Sequence, residues 1–118
     1  EVNRISPLLI PVHAGRPNQQ LRGIRSCHFS CWKSQLMKVN GFDQRYEGWG
    51  REDSDLAARL FHAGFKRRNL RGMPVLHLWH EERSRDALAR NDGLLAEVLC
   101  NRRIRAKNGI AELEPSSE

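Results

Sequence analysis

Apolar residues return at helical spacing in two stretches of the chain. Leu56, Leu60 and Ala63 share one face, with Ala57 and Phe61 beside them, and predict a helix over 52–63. Gly64 follows as its stop. Asp55 and Arg59 are spaced i, i+4 and are expected to pair on the exposed side, where such a pair is worth only ~0.3 kcal/mol. Leu88, Leu95, Val98 and Leu99 form the second stripe and predict a helix over 83–106, interrupted at Gly93 and stopped at Gly109. A shorter helix is expected over 33–39, ended by Asn40-Gly41.

The remaining apolar runs are short. Residues 24–30 read as a strand, with Phe29 and Trp32 as core residues at the strand-to-helix junction. Residues 66–70 and 73–78 read as two strands, or as one bent at Gly72. Pro7, Pro11, Gly15, Pro17 and Gly23 punctuate the first 23 residues, so 1–23 is expected to be an irregular connecting segment. Residues 110–118 are expected to fray as a flexible tail. The domain proper is thus 24–109, an α/β unit with an exposed sheet edge.

Composition narrows the class. The chain has 118 residues, 39% hydrophobic and 29% charged, which suits one domain or part of one. It opens on Glu1 rather than methionine, so a fragment or processed chain is expected. Its net charge is +6, which favours anionic partners. The basic residues are dispersed and few aromatics are interleaved with them, so no nucleic acid partner is expected. No apolar run reaches membrane-spanning length. Cys27, Cys31 and Cys100 make an odd count that suits reduced thiols in the cytoplasm.

The densest chemistry lies in Gly48-Trp49-Gly50-Arg51-Glu52-Asp53-Ser54-Asp55-Leu56. Acids in a first helical turn are stabilised by its free N–H groups and dipole, so the carboxylates alone fit ordinary helix-start chemistry. The tryptophan between two glycines asks for more, because a mobile indole makes a platform for a sugar ring or a base. With Asp55 assigned to structure, Glu52 and Asp53 are left to face a cleft.

This stretch resembles the Gly-Trp-Gly-x-Glu-Asp-x-Asp-Leu motif of galactosyltransferase-like glycosyltransferases, in particular bacterial family 2 enzymes that build lipopolysaccharide core and capsule. The resemblance runs over about residues 21–107. Ser26-Cys27-His28-Phe29-Ser30-Cys31-Trp32-Lys33 is similar to a Cys-Asn-Met-Ser-Phe-Trp-Arg segment, with His28 where the family has Asn and Cys31 where it has an aromatic. Val39-Asn40-Gly41-Phe42-Asp43 is similar to an Asn-Gly-Phe-Asp turn. Val75-Leu76-His77-Leu78-Trp79-His80 resembles the strand that ends in a metal-binding histidine. Arg51 departs from the glycine that several relatives carry.

The resemblance implies a partial GT-A (nucleotide-diphospho-sugar transferase) fold, the C-terminal, acceptor-side half with short mixed strands and a long C-terminal helix. The nucleotide-binding half with its Asp-x-Asp motif would lie upstream. It implies sugar transfer from a nucleotide-sugar, UDP-sugar first, to a saccharide or lipid-linked glycan, with inversion. Asp53 would be the general base and Glu52 an acceptor contact. Trp49, Gly48, Gly50, Arg51 and His28 would be substrate-binding residues. The cofactor would be a divalent metal, Mn2+ or Mg2+, bound by His77 or His80, His77 being preferred. The expected location is cytoplasmic, with peripheral contact at the inner membrane face as a further expectation. Two other readings compete: a glycan-binding or interaction module without catalysis, and a zinc site from Cys27, Cys31, His77 and His80, whose spacing does not meet zinc-finger rules.

Overall fold

A computed structural model describes residues 13–25, 28–72, 78–81 and 84–113. Among these residues it shows a small α/β arrangement of three α-helices and one two-stranded sheet. In chain order these are β1 (His13–Ala14), α1 (Lys33–Lys38), α2 (Glu52–His62), β2 (Leu70–Arg71) and α3 (Leu88–Cys100), followed by a 3-10 turn at Ile110–Glu112. The strands pair antiparallel, with His13 opposite Arg71 and Ala14 opposite Leu70. An isolated bridge between Asn18 and Arg67 extends the pairing.

The helix starts and stops follow local chemistry. At α1, the Trp32 N–H donates to Gln35 Oε1 at 3.1 Å, which satisfies one orphan donor of the first turn. Asn40 (φ 63°) and Gly41 (φ 67°) then turn left-handed and end the helix as expected. Glu52, Asp53 and Asp55 sit in the first turn of α2, where the helix dipole favours them. Gly64 (φ 91°) takes the left-handed position after α2.

The core is small and unusually polar. Val39, Leu56, Ala57, Ala58, Val98 and Ala106 are its buried apolar residues among those described, and α2 packs against α3 to form it. Asn40, Asp43, Asp55, Arg59 and Asn91 are buried with them. Burial of polar groups is costly without hydrogen bonds, and the bonds are largely there. Arg59 donates to Asp55 Oδ2 at 2.8 and 2.6 Å and to the carbonyls of Val39 and Gly41 at 2.7 Å each. Asn40 donates to Ala106 O and Glu112 Oε2, and its Oδ1 accepts from the Ala111 N–H. Asp43 accepts from Arg45 and from the Lys107 N–H.

Several expectations are corrected. The Asp55–Arg59 pair is not exposed: both side chains are 0% accessible. The α2 face that carries them is covered by the turn at 39–43, whose carbonyls need a donor. Residues 24–30 form no strand among those described; Ile24 N bonds to Leu21 O and His28 N to Arg25 O, so the chain closes into turns. Phe29 and Trp32 are not core, being 38% and 77% exposed. The segment 1–23 is not wholly irregular, since its residues 13–14 supply a strand. Strand structure over 66–70 shrinks to the Arg67 bridge and Leu70–Arg71, and 73–77 lie outside the described residues. The last helix begins at Leu88, five residues late, and ends at Cys100, six early. Arg102 (φ 46°) turns the chain back there. Gly93 does not interrupt the helix; it lies exposed within it. Residues 110–113 are docked on the 39–43 turn, not frayed.

Candidate functional site

The loop that precedes α2 is held in an unusual backbone shape. Gly48 (φ 70°), Gly50 (φ 98°) and Arg51 (φ 80°) all lie in the left-handed region. Glycine takes this conformation freely, whereas arginine does so at a cost. Here Arg51 is held by an ion pair with Asp92, Nε to Oδ1 at 2.5 Å. The glycines also make room. A Cβ on Gly48 would stand 3.1 Å from Ala87 Cβ, and one on Gly50 would stand 3.3 Å from Leu88 Cδ1.

The loop is stitched to residues 85–92. Asn91, on α3 and fully buried, donates its Nδ2 to Glu47 O at 3.0 Å, Gly50 O at 2.9 Å and Trp49 O at 3.3 Å. Arg90 pairs with Glu47 at 2.8 Å. The Arg85 guanidinium lies 4.5 Å from the centroid of the Trp49 ring, a stacking distance favourable for a cation over an indole. Trp49 remains 38% exposed, so part of the indole still faces solvent.

Glu52 and Asp53 follow in the first turn of α2, both half-buried. Asp53 Oδ1 accepts from the Ser54 N–H at 2.7 Å. Asp55 points instead into the core. Burial pushes its carboxyl above the usual range, against the opposing pull of Arg59. Burial, then the neighbouring Asp55, likewise raises the Tyr46 hydroxyl. The buried Tyr46 hydroxyl faces the Asp55 carboxylate, which it holds down a little against the effect of burial.

The sequence-predicted residues therefore divide. Gly48, Trp49, Gly50, Arg51, Glu52 and Asp53 form one contiguous loop-and-helix unit with Asp55 turned away. His28 is exposed on the segment before α1. His80 is exposed, with Nδ1 3.0 Å from Glu81 O. His77 lies outside the described residues, as does Cys27. Cys31 is half-buried and Cys100 exposed, both as free thiols. Among the described residues no three His, Cys, Asp or Glu side chains converge as a metal site, and no helix is long and apolar enough to cross a membrane.

Arg85, Arg90, Asn91 and Asp92 did not emerge from the sequence. One signal pointed to Asn91: it stands in register with Leu88, Leu95 and Val98 on the apolar stripe of α3. A polar residue on a buried stripe needs a partner, and here the partners are the carbonyls of the Gly-Trp-Gly loop. An open depression near the C-terminal end of α2, lined by Gln19, Phe61, His62, Leu99 and Arg102, lies away from these carboxylates.

Comparison with known proteins places this geometry in context. Residues 8–81 match a family described as the N-terminal domain of galactosyltransferase. The Homo sapiens chondroitin sulfate N-acetylgalactosaminyltransferase 1 is 37% identical over 59 residues, 48% of this chain and 11% of that protein. The Homo sapiens chondroitin sulfate N-acetylgalactosaminyltransferase 2 is 33% identical over 57 residues, again 48% of this chain and 10% of that protein. The chain thus spans about a tenth of the length of the curated relatives it matches. These relatives are animal enzymes and do not single out the bacterial family 2. No solved structure matches the chain.

Proposed function

Because the chain belongs to the family described as the N-terminal domain of galactosyltransferase, we propose that it forms the acceptor-side part of an enzyme that moves a sugar from a nucleotide-sugar to a glycan. The observation that carries this reading is the ordered unit of Trp49 and Asp53, with the loop fixed on one side by Asn91 and the carboxylate fixed on the other by the first turn of α2. N-Acetylgalactosamine, named in the relatives, is the first donor sugar to try, as its UDP form.

In this proposal each residue has one task. Asp53 takes the proton of the acceptor hydroxyl as that oxygen attacks the anomeric carbon, with inversion. Its half-buried position keeps it reachable from solvent, and general-base catalysis of this kind contributes about 10²–10⁴-fold. Glu52, next to it, contacts the acceptor. Trp49 offers the exposed part of its ring to a sugar. Gly48 and Gly50 let the backbone approach the substrate, and Arg51 borders the same loop. His28 is kept only as an outer contact.

A divalent ion, Mn2+ or Mg2+, belongs to the same proposal, with His77 or His80 as a ligand. The described residues do not by themselves fit such an ion, since His80 is exposed and no ligand set converges. When bound, an ion of this kind offsets the charge of the departing diphosphate. No step on the described residues depends on it.

The test is nucleotide release from UDP-N-acetylgalactosamine and related donors by the full-length protein, with chondroitin-type and other glycans as acceptors. Asp53→Asn is expected to lower kcat by about 10²-fold or more while donor binding persists. Glycan binding without turnover in the unaltered protein would instead favour the non-catalytic module.

A further inference from the structure

The side-chain amide of Asn91 presents a chemical imbalance. Its Nδ2 serves three carbonyls, those of Glu47, Trp49 and Gly50. Its Oδ1 is buried and accepts nothing. The opposite orientation of the amide would set an acceptor against three acceptors, so the one observed is dictated by the loop. A buried polar atom left bare is a net cost, and an apolar residue on this stripe would avoid it. The molecule keeps the amide and bears the cost, in return for a fixed loop.

The loop it fixes is one that would not hold its own shape. Three of its four residues are left-handed, and two of those are glycines, which carry the largest conformational freedom of any residue. Arg85, Arg90 and Asp92 add contacts, but each engages a side chain at the surface, where such pairs contribute little. Asn91, by contrast, is fully buried and bonds the loop backbone itself, at three carbonyls. It also lies beyond residues 8–81, outside the span that the family match covers.

We propose that Asn91 is the positioning residue of the site: it sets the Gly48–Arg51 backbone, and through it the placement of Trp49 and the entry of Asp53 into α2. The inference rests on the glycosyl-transfer reading for its catalytic consequence, and on geometry alone for its conformational one. Asn91 touches no reacting atom and acts only through the loop. Misplacement of a binding group by about 1 Å can cost about 10²-fold in rate, so a loosened Trp49 platform weakens acceptor binding as well as turnover.

The experiment compares Asn91→Ala with Val98→Ala, a buried apolar truncation two turns further along the same helix. Backbone 15N order parameters are measured over residues 47–53, and the acceptor KM is measured in the full-length protein. For Asn91→Ala, order parameters at 48–51 are expected to fall from the rigid range near about 0.85 to below about 0.6. The acceptor KM is expected to rise about tenfold. For Val98→Ala, thermal stability falls while loop order and KM stay as they were, because a smaller folded fraction lowers apparent kcat without changing KM. A loop that stays rigid in Asn91→Ala would overturn the proposal. So would a loosened loop with unchanged acceptor KM. If the unaltered protein transfers no sugar, the glycosyl-transfer reading fails, and the order parameters still decide whether Asn91 sets the loop.

Discussion

Arg59 is the residue on which the interior depends most. All three of its guanidinium nitrogens are engaged, by Asp55 Oδ2 and by the carbonyls of Val39 and Gly41. Desolvating such a pair is expensive, and breaking it by removing one partner is worse than never having it. Arg59→Met is therefore expected to destabilise the fold by about 3–5 kcal/mol, read as a shift of the urea midpoint. Asp55→Leu added to it should recover part of that loss, since no charge is then left buried alone. The pairing of Asp55 with Arg59 was legible from their spacing of four. Its depth was not, because burial is conferred by a turn 18–20 residues upstream. Asp53 and Asp55 teach the same lesson from the other side. Both acids start the helix, and their opposite fates follow from which face meets the core.

At the scale of elements, α3 does two jobs with its two ends. Its first turns hold the Gly-Trp-Gly loop, and its last turn carries Glu97, the hub of a charge cluster. Glu97 accepts from Arg103 and Lys107 at 2.7 Å each, with Arg45 at 3.4 Å. The Lys107 ammonium, then Arg103, pulls the carboxyl down to about 2. Asp43, where burial pushes upward but Arg45 prevails, and Glu112, bonded by the Gly109 N–H and Asn40, also lie below their ordinary values. A carboxyl depressed on folding contributes stability that is complete above its unfolded pKa and lost as pH falls toward its folded one. Thermal stability is thus expected to decline from about pH 4.5 toward pH 2. Glu97→Gln should flatten that decline and leave the curve near neutrality shallowly lower. The existence of α1, α2 and α3 was readable from periodicity and from Gly41 and Gly64. The ends of α3 were not. Apolar spacing continues to Ile104 and Ala106, but the chain turns at Arg102 to meet the 39–43 turn, and a partner far away in sequence leaves no local mark.

For the molecule as a whole, the sequence conveyed the helices and the loop of the candidate site better than the way they are joined. The strands were the least legible part. β1 came from a segment rich in proline and glycine, and it pairs with a strand of only two residues. Nothing in so short a run distinguishes it from loop, since its order comes from the partner. The C-terminal segment was misjudged for the same reason. Ala106 N bonds to Val39 O, Gln44 N to Asn108 O and Ile110 N to Asn40 O. That clasp has a topological meaning. Asn40 and Ala106 are 66 positions apart in sequence, and the stretch between them contains α2, α3 and the Gly-Trp-Gly loop. The site is thus an excursion within a ring whose two ends are fastened by these hydrogen bonds. Closing a ring of this length costs the unfolded chain about 4 kcal/mol of entropy, and the clasp offsets part of it at the ring's two ends. A covalent tie between the 39–43 turn and residues 106–112 would lift that cost from folding, so the greatest leverage over the stability of the site lies at this fastening, apart from any residue of the site itself.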